Sequence, residues 1–216
     1  MRSPMMARYR SSLLTMLAAS TLLAACSRDV TAPSASTQRA TPERVSSFRP
    51  SKAAKALYGV SDGVYTLSFD PSESQSFNMG LNHLDLPANS VCDLATSSYG
   101  HGRWNDACTP ETDSVTITVT ITGASSDTPR IDFQPAMRFN PSKNVQLFMY
   151  APNPTLSDSW KLGYCNDRNV CVDESKTDSE LQSYVDHDAS VVFRRIKHFS
   201  GYLVANFLDE VSAGLF

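Results

Sequence analysis

The sequence predicts an all-β fold, an antiparallel β-sandwich, and three observations carry that prediction. Val115, Ile117, Val119 and Ile121 alternate with Thr116, Thr118, Thr120 and Thr122, the period-2 pattern of a strand with one face in a core and one in water. Turn signals such as Asp70-Pro71, Pro87, Pro135 and Pro152-Asn153-Pro154 break the chain into short apolar runs. Strand-like and helix-like stretches do not alternate, which argues against a parallel α/β sheet. With 216 residues, the chain has room for one domain of ordinary size and tails.

Residues 1–10 carry Arg2, Arg8 and Arg10, and an apolar run follows from Ser11 to Ala25. That run is too short for a comfortable transmembrane helix and reads as a secretory signal. It ends in Leu23-Ala24-Ala25-Cys26, which resembles the lipobox of bacterial lipoproteins. The resemblance implies that residues 1–25 are removed and that Cys26 becomes a lipidated first residue. The membrane is then a partner through the Cys26 lipid, because each buried methylene adds about 0.8 kcal/mol and two or more chains hold stably. Ser27, not Asp, follows the cysteine, so the resemblance implies a bacterial cell envelope and delivery to the outer membrane. The alternative is an ordinary signal peptide with a chance cysteine.

Residues 27–50 are rich in Ser, Thr, Ala and Pro, with little large apolar surface before Phe48. Such a segment buries too little to offset its ordering entropy, so residues 26–62 are expected to form a tether, with a short helical turn at Ser51–Tyr58. The sandwich is expected over 63–206 and a tail or short helix over 207–216. Within the sandwich, strands are expected at Val64–Phe69, Ser76–Leu81, His83–Leu86 and Ser114–Thr122. Arg130–Phe133 and Ala136–Phe139 read as two strands split by Pro135, and Asn144–Tyr150 as another. Ser159–Cys165 and Val170–Asp173 read as a small hairpin, and Asp178–Tyr184 as a loop or helical turn. Ser190–Ile196 and Tyr202–Asn206 read as a closing hairpin around the corner Lys197–Gly201, with Gly201 supplying a positive φ.

Four of the five cysteines form two close pairs, Cys92/Cys108 and Cys165/Cys171, which suits disulfides in an oxidising compartment. A four-cysteine zinc site is the rival, but neither spacing matches the close C-x₂₋₄-C ligand pairs of structural zinc. A net charge of -3 with no basic stripe gives nucleic acid no electrostatic footprint.

Further residues resemble a known family. Leu84–Cys92, LDLPANSVC, resembles the apolar–Pro–Ala entry of the ZU-five domain, and Ser114–Ile121 its following strand. Ile131–Phe139 with Val145-Gln146-Leu147 resembles its core pair, and His198-Phe199-Ser200-Gly201-Tyr202 its closing hairpin. The family is a β-sandwich found in ankyrins, netrin receptors, tight-junction scaffolds and death-domain adaptors. The Cys92–Cys108 stretch departs from its animal members, so their partner surfaces are not carried over. In some members His-Phe-Ser is a self-cleavage motif. The resemblance thus implies that Ser200 attacks the Phe199 carbonyl while His198 takes the proton, an N→O acyl shift followed by hydrolysis.

Other chemistry is weaker. Gly59-Val60-Ser61-Asp62-Gly63 matches G-x-S-x-G, but a nucleophile elbow needs a strand before and a helix after the serine. His83, His101, His187 and His198 show no paired-ligand spacing. The acidic residues Asp173, Glu174, Asp178, Glu180, Asp186 and Asp188 are calcium-like in charge but lack EF-hand spacing, so no metal and no cofactor are expected. Tyr99, Arg103 and Trp104 are hot-spot residue types on the Cys92–Cys108 loop, suited to an envelope protein or a glycan, or to folding back on a sheet edge. The leading expectation is a lipid-anchored interaction or structural domain. The alternatives are self-cleavage between Phe199 and Ser200, and glycan binding.

Overall fold

The structure is a computed structural model that describes residues 48–52, 55 and 60–207. Among the described residues eleven strands follow in chain order. They are β1 (Gly63–Phe69), β2 (Gln75–Met79), β3 (Asn82–Leu86), β4 (Val115–Thr122), β5 (Arg130–Arg138) and β6 (Val145–Tyr150), then β7 (Trp160–Cys165), β8 (Cys171–Val172), β9 (Tyr184–Asp186), β10 (Val191–Ile196) and β11 (His198–Asn206). Two antiparallel sheets result, β1-β4-β5-β11-β7-β8 and β2-β3-β6-β10-β9, so the fold is an all-β sandwich. The alternation of β4 decides its orientation. Val115, Ile117, Val119 and Ile121 are buried while Thr116, Thr118 and Thr122 stay exposed. Across the core they join Leu84, Leu147 and Val192 of the opposite sheet. Each such fully buried aliphatic side chain contributes about 1.5–3 kcal/mol.

Three expectations need correction. The expected closing hairpin is a crossover between sheets. β10 pairs with β6 and β9, whereas β11 pairs with β5 and β7, and the chain changes sheet at Lys197. The apolar residues on either side of that step therefore face one core from opposite walls. Gly201 does not sit in a left-handed turn; it lies inside β11. A Cβ there would meet Asp132 Oδ1 at 2.6 Å and the Cys165 carbonyl at 3.1 Å, so close approach of neighbouring strands is what requires glycine. β5 is one strand, not two. It absorbs Pro135 at an irregularity, where four residues, Phe133–Ala136, lie opposite Ser200 alone.

The expected tether does not stay clear of the sandwich throughout. Phe48 stacks on His83 at 4.3 Å and meets Phe148 edge-on, and Arg49 pairs with Asp186 at 2.8 Å. The aromatic ring of Phe48 is the first large apolar side chain after the Ser/Thr/Pro-rich stretch, and it finds an apolar face. The cysteines pair as Cys92–Cys108 and Cys165–Cys171. Cys26 and the rest of the leader lie outside the described residues, as do Gly59 and residues 208–216.

Candidate active site

Strand β11 places His198, Phe199 and Ser200 beside each other where its ladder with β5 breaks register. Period-2 alternation sends Phe199 into the core, stacked on Phe133 at 4.8 Å. His198, on the other face, is also fully buried, under Trp104 and the turns that follow β8. Those turns are built by capping. Asp173 accepts from the Ser175 N–H at 3.0 Å and opens a 3₁₀ turn at Glu174–Lys176. Asp178 does the same for Ser179–Leu181, and Leu181 anchors the pair in the interior. Glu174 is thereby fixed against His198.

The resulting chain of contacts has the order of a serine–histidine–carboxylate triad. The Ser200 hydroxyl lies 2.8 Å from His198 Nδ1, and His198 Nε2 lies 3.1 Å from Glu174 Oε1. Arg194 Nη2 donates to the other Glu174 oxygen. An ionised carboxylate only accepts, so the proton belongs on Nε2 and Nδ1 is left as an acceptor for Ser200. Tyr202 could compete for that nitrogen, but its hydroxyl donates to the His198 carbonyl at 2.6 Å. The Tyr99 hydroxyl, a neighbour of the Ser200 hydroxyl, donates to the Phe199 carbonyl oxygen at 2.9 Å.

Burial sets the charge states. It pushes His198 below the usual histidine range, only partly opposed by Glu174, so the imidazole is neutral at pH 7 and its Nδ1 lone pair is free to accept. Burial also raises the Glu174 carboxyl, but the His198 hydrogen bond and the Arg194 charge outweigh it and hold the group at about 2. Tyr99 and Tyr202 are both pushed up by burial and remain protonated donors.

No family model matches the chain, no curated protein matches it, and no solved structure matches it. The site must therefore be read from its own chemistry.

His198 and Ser200, two residues apart in the predicted motif, lie in hydrogen-bond contact. Of the two roles open to the Cys92–Cys108 loop, an exposed binding surface or folding back on the sheet, Trp104 takes the second: it is 8% exposed and stacks on His198 at 4.1 Å. Tyr99 turns its hydroxyl inward, and Arg103 stays outside, paired with Asp106 at 3.2 Å. Ser61 precedes β1 in irregular chain, away from any strand–serine–helix elbow. Among the described residues no cluster of His, Cys, Asp and Glu is placed to hold a metal ion. Glu174 and Arg194 were missed. Arg194 had a legible signal: it shares the inward face of β10 with Val192 and Ile196, and a cation in that position demands a buried anion. Glu174 had none, since its burial depends on two turns that no periodicity marks. A cavity of about 530 Å³ lies against Trp104, Tyr164 and Glu174.

Proposed function

We propose that this chain is a lipid-anchored envelope protein whose β-sandwich cuts its own backbone between Phe199 and Ser200. The observation that carries the reading is the Glu174–His198–Ser200 chain set against a peptide carbonyl that already accepts a hydrogen bond from Tyr99. The resemblance of His198-Phe199-Ser200 to the self-cleavage motif of ZU-five domains supports it from the sequence side.

The steps balance within the chain. Ser200 Oγ loses its proton to His198 Nδ1 and bonds to the Phe199 carbonyl carbon, closing a five-membered ring. Negative charge develops on the Phe199 oxygen. The carbon–nitrogen bond breaks, His198 returns the proton to the Ser200 nitrogen, and an ester joins Phe199 to the serine side chain. Water then hydrolyses that ester, leaving a carboxylate on Phe199 and a free amine and hydroxyl on Ser200. A positioned general base contributes typically 10²–10⁴-fold. Intramolecular attack also removes the entropic cost of bringing the reactants together.

The second reading is a non-cleaving interaction or structural domain, in which the same network only satisfies buried polar groups. The full burial of Phe199 and His198 favours it. Glycan binding has less support, because the Trp104 ring is spent on His198. Purified full-length protein followed by denaturing electrophoresis and intact mass separates the first two readings. Wild type is expected to yield a fragment beginning at Ser200, and Ser200→Ala to remain one chain. A wild type that stays whole for days at neutral pH would leave only the second reading.

A further inference from the structure

We infer that the disulfide-closed loop between Cys92 and Cys108 is the activating element of this site, with Tyr99 as a catalytic residue that stabilises the oxyanion. The inference rests on the self-cleavage reading above and adds what switches the reaction on. Tyr99 comes from a segment a hundred residues away in sequence, yet its hydroxyl is 2.9 Å from the oxygen on which negative charge would form. A donor already aimed at that atom lowers the barrier without further reorganisation. Partial burial pushes the phenol above its ordinary value, so it is a donor at neutral pH.

The same loop covers the base. Trp104 stacks on the His198 ring at 4.1 Å and meets Tyr99 edge-on at 4.9 Å, so donor and cover are one packed unit. Little secondary structure holds that unit. Residues 93–107 are turns and irregular chain, and pairing is confined to single bridges at Val91 with Phe139 and Cys92 with Pro110. The remaining ties are a few polar contacts and the disulfide. Arg138 donates to the carbonyls of Ser98 and Asp106, and Lys197 reaches Asn105 Oδ1 at 2.5 Å. Without the Cys92–Cys108 bond the loop has a far larger set of open conformations, and most of them withdraw Tyr99. Self-cleavage is then conditional on oxidation. The chain stays whole where thiols are reduced and is cut after reaching a compartment where the bond forms.

The test follows the Ser200 fragment by intact mass in full-length protein refolded from the reduced, unfolded state, with and without oxidised glutathione. Wild type is expected to be cut with the oxidant and to be at least tenfold slower without it, and the Cys92→Ser/Cys108→Ser variant, which keeps Cys165–Cys171, to be as slow with the oxidant present. Tyr99→Phe removes one hydroxyl and is expected to melt within about 2 °C of wild type while cutting about 100-fold more slowly, the usual loss for one oxyanion donor. Tyr99→Phe cutting at the wild-type rate would overturn the role of Tyr99 and leave the self-cleavage reading standing. Equal rates for wild type with and without oxidant would overturn the redox dependence. A wild type that is never cut would remove this inference and the reading beneath it together.

Discussion

Glu174 is the residue on which the charge balance of the interior turns. Its carboxylate faces the fully buried Arg194 on one side and His198 on the other. Replacing it by glutamine keeps the shape but leaves Arg194 a buried cation without its anion, a change that costs about 3–5 kcal/mol when one partner of a buried pair is removed. Glu174→Gln is therefore expected to lower the urea midpoint strongly and to slow any cleavage, since an amide that turns its oxygen to Arg194 presents its NH₂ to His198 Nε2 and favours the other tautomer. Acid should act through the same pair. Glu174 is held at about 2, below its unfolded value of 4.5, so its contribution is full above 4.5 and lost as pH falls toward 2. His198 is lowered from 6.5, so the unfolded state takes its proton first and stability also declines below about 6.5. Both groups have the same sign. Urea midpoints measured from pH 7 to pH 3 should fall steadily, and a flat or rising series would contradict the buried triad.

Strands were legible in this sequence wherever one face is wet, as in β4, where threonine alternates with valine and isoleucine. What period 2 does not carry is sheet membership. β10 and β11 are adjacent apolar strands, and nothing in their letters says that they belong to opposite sheets; that depends on the pairing of β10 with β6 and of β11 with β5 and β7. The His198–Ser200 contact was legible because it is local, whereas Tyr99 and Glu174 reach the site over long sequence distances through turns. Gly201 shows the same limit. Its glycine looked like turn chemistry and is instead a packing requirement between β5 and β7. Gly201→Ala should thus destabilise by about 1–3 kcal/mol through overpacking, with Asp132 and the Arg130 guanidinium forced to move. Thermal melting checks this. An unchanged melting temperature would show that the side-chain pair yields at no cost.

At the scale of the molecule, cutting one peptide bond and separating two pieces are different events. Residues 200–206 form most of β11, which lies between β5 and β7 inside the six-stranded sheet. Gly201–Asn206 pairs with Trp160–Cys165 on one side, and Gly201, Tyr202 and Leu203 pair with Asp132, Ile131 and Arg130 on the other. Tyr202 and Val204 are fully buried, each contributing about 1.5–3 kcal/mol. A fragment starting at Ser200 therefore has two ladders and two core side chains holding it in place. If the sandwich is tied to a membrane through Cys26, the fragment should be tied with it although no covalent bond remains. In membrane fractions from cells making the full chain, the Ser200 fragment should sediment with the larger piece and be freed only by denaturant. Cys26→Ser should move both pieces to the soluble fraction while they still elute together in size exclusion. A fragment that leaves the membrane while the larger piece stays would show that β11 is not retained after cleavage. Sedimentation of both pieces from Cys26→Ser cells would show that something other than a lipid on that cysteine holds the protein there.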